Sequence, residues 1–221
     1  MADDRKRREI GERVLSKNDT IAAENRARFA ERGLYVVNLI GSPGSGKTSL
    51  LEATIRRLDL PVAVIQGDVQ TTIDADRVTA AGADAYQIET GGACHLDARM
   101  VARAMDHIDL DAAGIVFIEN VGNLVCPTGY DLGETEKAAV LSVPEGDEKP
   151  VKYPSLFVRA GLVVITKTDL IPYTDFSMDR ATADLAKLHA GVTVLPLSSR
   201  TGDGLDAWCA YLSGKAGPRS S

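Results

Sequence analysis

The chain has 221 residues, 44% hydrophobic and 25% charged, with a formal net charge of −6. That length suits one domain with a sizeable core, and the balance is that of a soluble globular protein. The negative charge argues against broad nucleic-acid binding, because no overall positive field would gather phosphates. No apolar run approaches the length that spans a bilayer. The opening Met1-Ala2-Asp3-Asp4-Arg5-Lys6-Arg7-Arg8 lacks the apolar centre of a signal peptide. A cytoplasmic location without membrane contact is therefore expected. Cys94, Cys126 and Cys209 do not make a disulfide framework in that compartment.

In chain order, residues 9–32 read as a charged helix with Ile10, Val14, Ile21 and Phe29 as its packed stripe and Gly33 as its stop. Residues 1–33 are thus expected to lie as a helix on the main domain; a partner-docking arm is the alternative. The main domain spans 34–213, and 214–221 reads as a disordered tail. Leu34–Ile40 reads as a buried strand, and Ser49–Ile55 as the start of a helix. Further strands are expected at 61–66, more weakly at 83–88, and at 113–119, 162–165 and 192–197, with a helix over 96–107. Residues 142–154 read as a long, proline-rich loop. This alternation gives an α/β class: a P-loop NTPase fold, its mainly parallel sheet covered by helices on both faces. Ligands should gather at the carboxyl ends of the strands.

Between the first strand and its helix stands Gly41-Ser42-Pro43-Gly44-Ser45-Gly46-Lys47-Thr48, which fits G-x-x-x-x-G-K-[ST]. Gly41, Ser42, Gly44, Ser45, Gly46 and Ser49 would cradle phosphates with backbone N–H groups at a helix N-terminus. Lys47 reaches the β- and γ-phosphates, and the Thr48 hydroxyl suits Mg²⁺. Phosphoryl transfer also needs acidic ligands and a placed water. Asp68 and Glu119, at strand ends, are the candidates for Mg²⁺. Asp74 falls where a switch loop is expected, and Gly122 could sense the γ-phosphate through its N–H. No arginine stands out as a finger, so slow intrinsic hydrolysis is expected.

Thr166-Lys167-Thr168-Asp169 follows a strand and resembles the [NT]-K-x-D element of P-loop GTPases. There the aspartate accepts from the guanine N1–H and exocyclic amine, a donor pair adenine lacks, which can discriminate by roughly 10⁴-fold. Lys167 would lie along the base or the P-loop. Thr166 stands where that family more often has Asn. Ser198-Ser199-Arg200-Thr201-Gly202 resembles the loop that closes over guanine, which nominates Ser199. The expected nucleotide is GTP.

A second chemistry sits in Gly91-Gly92-Ala93-Cys94-His95-Leu96-Asp97 and in Glu119-Asn120-Val121-Gly122-Asn123-Leu124-Val125-Cys126-Pro127. Thiolate and imidazole suit Ni²⁺ or Zn²⁺ far better than Mg²⁺. Adjacent Cys94 and His95 cannot close a four-coordinate cage alone; Cys126 and a twofold partner could complete it. Cys209, in a helical apolar pattern, reads as a small buried hydrophobe.

These runs, with Gly67-Asp68-Val69, Asp74-Ala75-Asp76-Arg77 and Glu145-Gly146-Asp147-Glu148-Lys149-Pro150, resemble the HypB family of GTPases, which assist nickel insertion into [NiFe]-hydrogenase. The resemblance spans about residues 9–212. It implies a GTP-linked homodimer, and Ni²⁺ or Zn²⁺ at Cys94, His95 and Cys126 near the dimer interface. It also implies cooperation with HypA, a small zinc protein, delivery to the hydrogenase large subunit, and a Lys149/Lys152 loop reaching across the dimer toward nucleotide. The chain lacks the N-terminal Cys-x-x-Cys-Gly-Cys or His-rich segments of some members, so nickel storage there is not expected. Three rival readings follow from the same residues. The urease-type GTPase UreG carries Cys-Pro-His, where this chain has Cys126-Pro127-Thr128. A P-loop kinase would need an acceptor lid and no guanine selectivity. A regulatory GTPase would use its cysteines only for packing.

Overall fold

The structure, a computed structural model, describes residues 2–68 and 73–217, with side chains described from Leu15 onward except at Asp68 and Ile73. Seven strands form one sheet: β1 (Tyr35–Gly41), β2 (Val62–Asp68), β3 (Asp84–Glu89), β4 (Ile115–Glu119), β5 (Glu136–Ser142), β6 (Leu162–Thr166) and β7 (Thr193–Pro196). All neighbours pair in parallel, in the order β3-β2-β4-β1-β5-β6-β7. Helices α1 (Ala2–Ala30), α2 (Lys47–Ile55), α3 (Ile73–Ala81), α4 (Ala98–Ala104), α5 (Lys149–Lys152), α6 (Pro154–Arg159), α7 (Met178–Leu188) and α8 (Leu205–Ala216) cover it. The α/β reading of the sequence therefore stands.

Burial on both faces explains the continuous apolar runs of β1, β4 and β6, none of whose residues reaches solvent appreciably. On one face, Val37, Leu39, Val64, Phe117, Val140 and Val164 pack with Leu50 and Leu51 of α2 and with Trp208 and Leu212 of α8. The Trp208 indole N–H is satisfied inside that core by Thr54 Oγ1 at 2.7 Å. The other face has two apolar clusters. Val36, Ile65, Val116 and Ile118 meet Phe29 of α1 and Val101 of α4. Ile40, Ala139, Val163 and Ile165 meet Phe157 of α6 and Leu185 of α7.

Four sequence expectations need correction. The interior strand β5 was absent from them because Glu136-Lys137-Ala138-Ala139-Val140 has weak strand character. It is a strand because it lies between β1 and β6, where Ala138 and Ala139 face opposite cores. The expected loop at 142–154 instead holds a 3₁₀ turn (Val143–Glu145) and α5, and Pro154 opens α6. Its prolines occupy first-turn positions, where the missing N–H costs nothing. The helix expected at 96–107 is regular only over α4, with Asp97 capping the Met100 N–H at 2.8 Å. The last helix runs past Gly214 to Ala216, so the tail begins later than expected; residues 218–221 lie outside the described residues.

Helix α1 is held by more than its apolar stripe, whose Ile10 and Val14 side chains lie outside the described residues. Asn18 donates to Asp131 O at 2.8 Å and accepts from Ala98 N–H at 2.9 Å. Asn25, almost wholly buried, donates to Ala98 O at 2.8 Å and Leu132 O at 3.0 Å. A Cβ on Gly133 would sit 2.6 Å from Asn25 Cβ, so only glycine allows that approach.

Candidate functional site

Gly41 ends β1, and the chain turns through Gly44 (φ 74°) and Gly46 (φ 92°), left-handed conformations that glycine adopts without penalty, into α2. The buried Lys47 ammonium donates to the Gly41 and Ser42 carbonyls, each at 3.1 Å, spanning the loop it would leave to meet phosphates. Burial holds that ammonium below its ordinary pKa, opposed chiefly by the Glu119 charge. Leu39 of β1 lies opposite Glu119 of β4 in register. Glu119 accepts from Thr48 Oγ1 at 2.8 Å and from Gln66 Nε2 at 2.7 Å, and burial pushes its carboxyl up.

These groups line a cavity of ≈ 460 Å³ with Pro43, Gly44, Gly46, Asp74, Arg77, Gly122 and Lys167. One buried oxygen lining this cavity, Gln66 Oε1, has no partner within the protein, as a site built for a polar ligand requires. The hard oxygen donors Thr48 and Glu119 fit Mg²⁺, which would neutralise phosphate charge when bound. Asp68 ends β2, but its side chain and residues 69–72 lie outside the described residues. Asp74 opens α3 and pairs with Arg77 at 3.1 Å; Arg77 also meets Glu52 at 2.5 Å.

A second cavity of ≈ 350 Å³ adjoins the first through Gly46, Ser49 and Lys167, and is lined by Thr166, Asp169, Leu170, Ser198, Ser199 and Arg200. Ser198 Oγ donates to Asp169 Oδ1 at 2.7 Å and so orients the carboxylate. Arg200 lies 3.9 Å from the other oxygen. Thr166, where Asn is commoner, gives its hydroxyl to Ser45 O at 2.6 Å and thus ties the base loop to the P-loop. Lys167 is left-handed (φ 60°), a conformation costing about 1–3 kcal/mol in a non-glycine residue, and donates to Gly44 O at 2.7 Å. The two cavities make one groove, with the P-loop at one end and Asp169 and Ser198 at the other.

The Cys–His loop lies beside this groove. Gly91 (φ 60°) and Gly92 (φ 89°) turn the chain out of β3. Cys94 is exposed, its Sγ 3.5 Å from His95 Nδ1. The neighbouring Cys126 thiol, with burial, raises the Cys94 pKa. Burial lowers that of His95, whose ring packs on Tyr130 at 3.9 Å between centroids. Cys126 opens a 3₁₀ turn (Cys126–Gly129) shaped by Asn123, whose Oδ1 accepts from Val125 N–H at 2.8 Å and Cys126 N–H at 3.4 Å. The fold thus sets Cys94 against His95, with Cys126 as the neighbour that acts on the Cys94 thiol. Among the described residues, no group of three or more His, Cys, Asp or Glu side chains is gathered to hold a metal ion. Cys209, on α8, is half-buried against the first core.

Sequence reasoning passed over Gln66, Ser198, Asn120 and Arg77. Their signals were slight: polar residues one or three positions from a recognised motif residue. Lys149 and Lys152 pair with Glu145 at 3.6 Å and Glu148 at 2.6 Å in their own chain.

The strand–loop–helix phosphate cradle, the Thr48–Glu119 pair and the oriented Asp169 define a P-loop nucleotide-binding protein of the GTPase class. The CobW/HypB/UreG nucleotide-binding domain family matches residues 35–196. The hydrogenase maturation factor HypB of Azotobacter vinelandii is 50% identical over 95% of this chain and 70% of its own length. The solved structure of HypB from Helicobacter pylori in complex with nickel is 42% identical, with a TM-score of 0.88 over 90% of this chain and 95% of that one. HypB from Archaeoglobus fulgidus gives 35% identity and a TM-score of 0.86 over 92% and 100%. The chain belongs to the HypB hydrogenase maturation factors of the CobW/HypB/UreG nucleotide-binding family.

Proposed function

We propose that the protein hydrolyses GTP to GDP and phosphate to time the handling of nickel destined for [NiFe]-hydrogenase. The observation that carries this reading is a backbone contact. A Cβ on Gly122 would lie 2.9 Å from Pro43 Cγ and 3.0 Å from Pro43 N, so the segment leading to Cys126 rests directly on the P-loop. Cys126 is only four residues further on. A γ-phosphate that drew on the Gly122 N–H would move a thiol donor with it. Nickel is the cargo, with Zn²⁺ as the competing ion for the same soft donors.

In this reading Lys47 and the P-loop amides hold the β- and γ-phosphates, Thr48, Asp68 and Glu119 hold Mg²⁺, and Asp74 orients water. Asp169 and Ser199 receive guanine, and Lys167 lies along it. Cys94, His95 and Cys126 supply too few donors for a closed tetrahedral site, so a GTP-linked homodimer would bring two loops face to face. Lys149 or Lys152 would release its own glutamate to reach the partner's nucleotide. A HypA-like zinc protein and the hydrogenase large subunit would be the neighbours in delivery. The site of action would be cytoplasmic; no helix among the described residues is long and apolar enough to cross a membrane.

Reciprocity supplies the test: if nucleotide alters nickel affinity, nickel alters nucleotide affinity by the same factor. Oligomeric state and metal stoichiometry, measured with GDP and with a non-hydrolysable GTP analogue, should differ. Identical monomeric behaviour in both states would defeat the proposal.

A further inference from the structure

A buried polar chain runs between the nucleotide groove and the Cys–His loop, and it has one residue at its centre. Asn120 follows Glu119, lines the phosphate cavity and is almost wholly buried. Its backbone N–H pairs with Leu39 O at 3.0 Å, which fixes it to β1. Its Oδ1 accepts from Val121 N–H at 3.0 Å and from Leu96 N–H at 3.1 Å. The first bond holds the approach to Gly122; the second holds the residue after His95. Its Nδ2 donates to Asn38 Oδ1 at 3.3 Å, and Asn38 donates to Glu134 Oε1 at 3.3 Å. Glu134 is ion-paired with Lys137, which donates to Tyr130 O at 2.9 Å. Tyr130 is the ring on which His95 packs. The chain thus reaches His95 from both sides, through its neighbour Leu96 and through its ring partner.

Leu96 is the second half of the joint. Its side chain is fully buried, and a Cβ on Gly67 would lie 2.7 Å from its Cδ2. Gly67 stands at the end of β2, immediately before Asp68. The ends of both strands that carry the expected Mg²⁺ ligands therefore press on, or bond to, Leu96, the residue that follows His95. Close packing makes such a joint move as a unit rather than stretch.

We infer that Asn120 is a positioning residue that couples the nucleotide state to the Cys94–His95 donor pair through Leu96. Its carboxamide oxygen holds Val121 and Leu96 together, so a displacement of the Val121–Gly122 segment is delivered to His95 as well as to Cys126. Both thiol-bearing loops then respond to one event. This inference rests on the metal-control reading above and names the residue that transmits it.

The test uses the full chain with two readouts. The first is the ratio of nickel dissociation constants at saturating GDP and saturating non-hydrolysable GTP analogue. Couplings of this kind commonly reach 5- to 150-fold. Asn120→Ala, which removes the shared acceptor, should bring the ratio within about twofold of one. Asn120→Asp, which keeps an acceptor oxygen for both N–H groups, should retain most of it. The second is hydrogen exchange of the segment 91–97 in metal-free wild type, which should change between the two nucleotides. Asn120→Ala folded and with the wild-type ratio would overturn the inference, as would wild-type exchange over 91–97 that ignores the nucleotide. The exchange readout decides alone if Asn120→Ala fails to fold. Equal nickel affinities in wild type would instead sink the metal-control reading itself.

Discussion

The nucleotide groove and the Cys–His loop are neighbours built on opposite principles. Among the described residues of the groove, Lys47 is bonded to two carbonyls, Glu119 to two donors, and Asp169 to Ser198. Around the thiols, Cys94 is exposed and meets His95, and no three of the described candidate ligands gather about one ion. A largely preorganised site binds its ligand with little rearrangement, here the release of Lys47 from two carbonyls; an incomplete one binds well only when something else completes it. The difference is what the proposed function requires: nucleotide held constantly and metal held conditionally.

The comparison breaks most visibly at the base end. Asp169→Ala should reduce the preference for GTP over ATP by up to roughly 10⁴-fold, because the guanine donors lose their acceptor; a competition binding assay reads this. Unchanged preference would mean that the second cavity does not read guanine. Next in size, Lys47→Ala should slow GTP hydrolysis by on the order of 10²–10³-fold, as expected for loss of a group stabilising developing charge. Nickel stoichiometry of the nucleotide-free protein should not change, since Lys47 contacts neither thiol loop. Cys126→Ala should weaken nickel binding by at least the 10- to 100-fold typical of losing even an outer-shell partner of a metal. Its nucleotide affinity without metal should stay near wild type, measured by calorimetry.

The smallest effect concerns stability and sharpens what preorganisation costs. Burial raises the Glu119 pKa, so the nucleotide-free fold binds its proton more tightly than the unfolded chain does. That contribution is complete below the ordinary carboxylate value and is lost as pH rises through the raised one. Lys47, held low by burial, works in the opposite direction at the alkaline end. Glu119→Gln should therefore raise the midpoint of thermal unfolding of the nucleotide-free protein by a few degrees at neutral pH, while abolishing hydrolysis. A lower midpoint would show that the carboxylate stabilises the empty groove.

The legible parts of the fold were those whose local signal agreed with their burial. β1, β4 and β6 announced themselves as apolar runs, and the P-loop by its glycines and lysine. β5 did not, because Ala138 and Ala139 gain strand character only from the two strands beside them. α5 and α6 hid behind prolines that look like loop signals yet sit at helix starts. In the groove, Lys47, Thr48, Glu119 and Asp169 were readable from motif spacing. Gln66 and Ser198 were not, because their importance lies in the carboxylates they orient, which only tertiary structure brings near. Asn120 was invisible for the same reason: its partners Leu96 and Asn38 are 24 and 82 positions away.

The central claim is that the prepared site governs the conditional one. The most direct measurement is a nickel titration of the wild-type protein, by calorimetry, with GDP and with a non-hydrolysable GTP analogue at saturation and with oligomeric state recorded in parallel. The account predicts nickel dissociation constants that differ by about 5- to 150-fold between the two nucleotides, together with a shift in the monomer–dimer balance. The same dissociation constant in both states, across monomer and dimer alike, would contradict it.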